Sequence, residues 1–122
     1  NGLCFSLDAS RLFVNDTERQ HIRVFNVASD GKLTGGAVWA ETRGKGRGAP
    51  DGMKIDSRGN LYCCGPGGIH VFNPSSDFLG VIPMPEHTAN FTFGDDDLRS
   101  LYITASTSLY RQRVRVPGLR LF

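Results

Sequence analysis

Apolar residues in this chain are split into short clusters separated by glycine, proline and polar turn residues. That pattern predicts many short strands rather than long helices. The clusters repeat three times: Asn1-Gly2-Leu3-Cys4-Phe5, Asp51-Gly52-Met53-Lys54-Ile55 and Asn90-Phe91-Thr92-Phe93 each open a short alternating strand. Ten or eleven residues later a second apolar strand begins with Leu12-Phe13, Leu61-Tyr62 and Leu101-Tyr102, after the turn sequences LDAS, DSRGN and GDDDLRS. A third strand is expected at Ile22 to Val27, Ile69 to Phe72 and Leu109 to Gln112. A fourth is expected at Ala37 to Glu41, Leu79 to Met84 and Val114 to Val116.

Four strands in a unit of about 40–50 residues is the size of a propeller blade, which cannot bury both sheet faces without a neighbour on each side. The fold class expected is therefore all-β, a β-propeller in which residues 1–48, 49–87 and 88–122 form three blades of a single domain. Closed propellers need about four to eight blades, so the chain reads as part of a larger propeller. The competing architecture is a free-standing β-sandwich of about ten strands. Residues 42–50, TRGKGRGAP, read as a polar inter-blade loop and lack the order of a phosphate-binding Walker loop.

Composition narrows the function classes. Fourteen basic and twelve acidic side chains give a formal charge of +2, and neither sign forms a dense block, so no nucleic-acid or membrane partner is expected. Arg111, Arg113 and Arg115 alternate with other residues and read as one solvated strand face. The three cysteines form neither a disulfide framework nor a zinc spacing; they read as small buried hydrophobes and fit a cytoplasmic compartment. No apolar run reaches the length of a membrane span and no signal peptide is visible, although a chain beginning at Asn1 without Met is expected to lack its natural N-terminus.

Asn1, Asp51 and Asn90 stand at the head of each innermost strand, and in a propeller such equivalent positions converge on the central axis. One carboxylate with amide and water oxygens is ligand chemistry for calcium, magnesium or manganese, and it also accepts zinc. Asn and Asp at such positions are equally ordinary turn formers, and the spacing alone leaves both readings open.

The segments NGLCFSLDASRLFVNDT, APDGMKIDSRGNLY, GPGGIHVFNP and TANFTFGDDDLRSLYITASTSLYR resemble the gluconolactonase, regucalcin and luciferin-regenerating-enzyme family over essentially the whole chain. The resemblance implies a six-bladed propeller lactonase with one divalent metal, calcium first among the candidates. The metal is held by a Glu of an early blade, the Asn of NGL and the Asp of PDG, and Asn1 and Asp51 match the last two positions. No residue here matches the Glu, because the blade that supplies it lies upstream, and the same is true of the residues that contact the sugar lactone. The chain alone is therefore expected to be inactive. Asp51 is also a candidate general base, and Asn90 a candidate pocket-lining residue.

His21, His70 and His87 share no common depth, which argues against a histidine triad or zinc cluster. Asp95-Asp96-Asp97 lacks the later Gly and Glu of a calcium loop and reads as a hairpin turn. Ser106, Thr107 and Ser108 form no nucleophile elbow. NDT at Asn15 and NFT at Asn90 match a glycosylation pattern that is common by chance. Metal-dependent hydrolysis of a sugar lactone is thus the function expected; a calcium-binding or scaffold propeller and a phosphotriesterase-like hydrolase are the alternatives.

Overall fold

A computed structural model describes residues 1–120, and the last two residues assigned to the third unit, 121 and 122, lie outside the described residues. Among the described residues there are eleven strands and no helix. The first sheet runs β1 (Leu3–Phe5), β2 (Arg11–Asp16), β3 (His21–Val27) and β4 (Leu33–Glu41), in that order and antiparallel. The second repeats the plan with β5 (Met53–Ile55), β6 (Leu61–Gly65), β7 (Gly68–Phe72) and β8 (Phe78–Pro83). The third has three strands, β9 (Thr88–Gly94), β10 (Ser100–Ala105) and β11 (Leu109–Arg113). This is the all-β blade architecture expected from the repeat.

Core formation takes place between sheets. Along β6 the pleat sends Leu61 and Cys63 to one face and Tyr62 and Cys64 to the other. Leu61 and Cys63 pack with Phe13, Ile22, Met53 and Phe72 against the first sheet. Tyr62 and Cys64 pack with Ile69, Phe91, Leu101 and Ile103 against the third. An uninterrupted buried run, LYCCG, is what a strand covered on both faces requires. The two adjacent cysteines consequently face opposite sheets, and all three thiols are free. Cys63 and Cys64 are buried, while Cys4 is only partly so.

One expectation is corrected here. Residues Val114 to Val116 form no fourth strand. Instead, the chain turns back after β11: Val114 N donates to Arg99 O (2.9 Å), Ser57 N to Pro117 O (2.9 Å) and Gly118 N to Leu98 O (2.8 Å), with Gly118 bridged to Asp56. Pro117 has no N–H to give a ladder, and its carbonyl ties the segment to the turn after β5 instead. The arginines of the alternating tail, Arg111, Arg113 and Arg115, are exposed, as expected of a solvated face. Arg111 reaches Asp95 (2.6 Å) and Arg113 reaches Asp97 (2.5 Å), closing the β9–β10 turn with exposed ion pairs.

Candidate functional site

The innermost strands β1, β5 and β9 lie side by side, and their leading residues meet at one end of the molecule. Gly2 lies directly against the main-chain carbonyl of Asp51, and Gly52 lies against Asn90; a Cβ at either position would collide with its neighbour. Gly52 N donates to Ala89 O (2.9 Å), so the second head is also hydrogen-bonded to the third.

Between the first two heads, Asn15 acts as a clamp. This residue is 2% exposed. Its Oδ1 accepts from Gly2 N (3.1 Å) and its Nδ2 donates to Asp51 O (2.6 Å), so one amide side chain fixes both heads at once. Two residues on, Thr17 donates to Pro50 O (2.7 Å) and accepts from Asn1 Nδ2 (3.3 Å). Sequence reasoning missed this pair, since Asn15 registered only as part of a glycosylation pattern, and a buried, doubly bonded amide cannot be a surface acceptor. Its signal was its place two residues beyond Phe13 on the buried face of an alternating strand.

Asn1 is exposed and Asp51 half-buried. Because Asn1 donates through Nδ2 to Thr17, its amide oxygen stays unengaged among the described residues, and the Asp51 carboxylate likewise enters no hydrogen bond or ion pair there. The Cys64 thiol is pushed up to about 12 by burial first, with the nearby Asp51 charge adding to it. Cys63 also rises to about 12 through burial, although the Asn15 amide opposes the shift. These two cysteines are inert protonated thiols at neutral pH. Two uncommitted hard oxygen donors suit a calcium-type cation. Among the described residues no cluster of three or more His, Cys, Asp or Glu is placed to hold a metal, so this pair would be a partial ligand set.

Asn90 does not occupy the same position as the other two. Pairing aligns Phe5 with Leu12, Ile55 with Leu61 and Phe93 with Leu101. Counting back from these, Asn1 and Asp51 correspond to Ala89, whereas Asn90 stands where the other units have Gly2 and Gly52. A one-residue slip sends a side chain to the opposite face of a strand. Asn90 Oδ1 accepts from Phe91 N (2.9 Å), and the side chain packs on Gly52. The histidines do not join this cluster: His70 is buried with Nε2 2.9 Å from Pro66 O, His21 is buried, and His87 is exposed.

The sequence profile described as the SMP-30/Gluconolactonase/LRE-like region matches residues 1–107. The chain belongs to this family. Among its relatives is a gluconolactonase of Zymomonas mobilis, 34% identical over 127 residues that cover 97% of this chain and 35% of that protein. A pentonolactonase of Haloferax volcanii is 34% identical over 113 residues, covering 87% of the chain and 38% of that protein. The solved structure of a gluconolactonase from Xanthomonas campestris superposes with a TM-score of 0.81 at 33% identity, covering 96% of this chain and 37% of that one. The chain thus spans little more than a third of each of these relatives.

Proposed function

We propose that this chain is the C-terminal part of a six-bladed propeller that hydrolyses sugar lactones with the help of one divalent cation, calcium first and zinc, magnesium or manganese as alternatives. The observation that carries the proposal is the unengaged Asp51 carboxylate where the three strand heads meet. Family membership supports it, with relatives named for lactones of two sugar types, as does the all-β blade plan. Blades 1–48, 49–87 and 88–122 would be completed by upstream blades of the same propeller, one of which supplies a Glu ligand. Three free thiols favour the cytoplasm.

Asn1 Oδ1 and the Asp51 carboxylate are the residues of this chain that would hold the cation. When bound, the cation supplies Lewis-acid polarisation of the lactone carbonyl. Asp51 accepts a proton from the attacking water through the carboxylate oxygen left free. The water oxygen bonds to the carbonyl carbon, the ring C–O bond breaks, and the departing ring oxygen takes up a proton, leaving a hydroxy acid. Asn90, displaced by one position and packed on Gly52, would contribute at most a neighbouring wall and no ligand. Asn15 and Thr17 orient Asp51 and Asn1 without touching substrate.

The test is lactone hydrolysis against added calcium in the propeller that contains this chain. Asp51→Ala should lower kcat/KM by about 10²–10⁴-fold. Asn1→Ala should raise the calcium concentration needed for half activity while keeping most of kcat at saturating metal. Wild-type turnover in Asp51→Ala at low metal would rule the assignment out.

A further inference from the structure

The chain has one asparagine followed by glycine, and it is the head of the first sheet, Asn1-Gly2. Asparagine is among the thermally labile residues. The lability comes from its own main chain, because the amide nitrogen of the next residue can attack the side-chain carbonyl carbon and close a five-membered ring. A side chain on that next residue hinders the approach. Glycine has none, and its freedom in φ and ψ lets the ring geometry form.

Position 2 has no alternative to glycine. A Cβ there would collide with the main-chain carbonyl of Asp51 and would stand 3.0 Å from Asn15 Nδ2. The close approach of the two heads therefore imposes the most labile kind of dipeptide on the position where Asn1 presents its amide. Asn1 is exposed, so water reaches it.

Both reacting groups are nevertheless held. The nucleophile, Gly2 N, donates to Asn15 Oδ1 (3.1 Å), and Asn15 N donates to Gly2 O (3.0 Å), so one buried residue brackets Gly2. The electrophile is the Asn1 side-chain amide, whose Nδ2 donates to Thr17 Oγ1 (3.3 Å). The restraints are themselves anchored, Thr17 on Pro50 O (2.7 Å) and Asn15 on Asp51 O (2.6 Å). Ring closure requires that the Gly2 N–H leave Asn15 and that the Asn1 amide turn away from Thr17.

We propose that Asn1-Gly2 is a latent site of spontaneous deamidation, and that Asn15 and Thr17 keep it unreacted. In the unrestrained chain Gly2 N bonds to Asn1 Cγ, the Cγ–Nδ2 bond breaks, and ammonia leaves with the proton from Gly2 N. Water then adds across either C–N bond of the cyclic imide that ends at a ring carbonyl, giving an aspartyl or an isoaspartyl residue at position 1. Either product adds a negative charge beside Asp51, and the isoaspartyl form also adds a methylene to the main chain next to Gly2. The proposal goes beyond the lactonase reading and does not rest on it.

The experiment incubates the propeller containing this chain in mildly alkaline buffer. Peptide mapping by mass spectrometry follows the conversion of position 1 from amide to acid and separates aspartyl from isoaspartyl products. The forms compared are native wild type, wild type unfolded in guanidinium chloride, Asn15→Ala, Asn15→Asp and Thr17→Val. Native wild type should convert at least about tenfold more slowly than the unfolded chain, since two hydrogen bonds must break first. Asn15→Ala should approach the unfolded rate, Thr17→Val should fall between, and Asn15→Asp should stay close to native wild type. Both Asn15 variants lose the amide that donates to Asp51 O, but only Asn15→Asp keeps an oxygen to accept from Gly2 N, so general loosening would speed both alike. Equal rates in native and unfolded wild type, or in the two Asn15 variants, would overturn the proposal. Circular dichroism checks folding. If Asn15→Ala is unfolded, Thr17→Val decides: a rate above native wild type supports the restraint, and an equal rate overturns it.

Discussion

The middle and first sheets follow one four-strand plan but live in different surroundings. In the middle sheet β6 is buried at every position, and β7 at every position except Val71. In the first sheet Leu3 is 59% exposed, Phe5 48% and Val38 51%. The difference comes from neighbours: the middle sheet has a partner on each face, and the first has one among the described residues. A blade of this kind is an incomplete hydrophobic unit, and its stability resides in the inter-sheet layers.

The largest effect expected is on that comparison itself. Leu61→Ala removes a side chain 1% exposed between two sheets and should cost about 2–5 kcal/mol. Leu3→Ala in the same chain should change stability by no more than about 0.5 kcal/mol. Chemical denaturation of both variants checks the contrast, and equal costs would break it. In the complete propeller, where a further blade would cover Leu3, its substitution should move toward the Leu61 range.

A smaller effect is expected where the two sheets touch at their heads. Gly2→Ala sets a methyl group against the Asp51 carbonyl and should cost about 1–3 kcal/mol. Gly44→Ala, whose nearest neighbours are at an ordinary 3.6 Å, is the control and should be close to neutral. Melting temperatures of the two variants report the difference.

The smallest effect concerns how the turns are closed. In the middle sheet, buried Asp56 accepts from Arg58 N, Asn60 N and Asn60 Nδ2 at 2.8–2.9 Å. In the third, Asp95 closes the turn on the surface, accepting from the hydroxyls of Ser100 and Tyr102 and from Arg111. The Ser100 hydrogen bond first, then those of Tyr102 and Arg111, hold the Asp95 carboxyl far below the usual carboxylate range. Because the folded value is depressed, this contribution is present above the unfolded value of about 3.9 and is lost as pH falls below it. Asp95→Asn should therefore lower Tm slightly at neutral pH and match wild type in acid. Added salt should shrink the neutral-pH difference, since the group is exposed and screened. A Tm gap that persisted in acid would show that packing, not charge, closes this turn.

Much of this architecture was legible before any coordinates. Leu12, Leu61 and Leu101 mark the second strand of each sheet, and the DSRGN turn is where Asp56 folds the chain back. Prediction was weaker at the ends of elements. Val114 to Val116 have the apolar alternation of a strand, yet their hydrogen bonds go to the β9–β10 turn and no further ladder forms. Asn90 shares a residue type with Asn1 but is displaced by one position, which only strand pairing reveals.

The sequence by itself determined that this chain is a threefold array of short antiparallel strands and singled out Asp51, because side-chain alternation and turn chemistry are local properties of neighbouring residues. Only the tertiary structure decided which heads are equivalent, that Asn15 clamps Gly2 to Asp51, that Cys63 and Cys64 face different sheets, and that the loop between β4 and β5 lies on the β6–β7 turn. The physical reason is that register and inter-sheet burial are set by contacts between residues tens of positions apart, and the local pattern is compatible with several ways of making them.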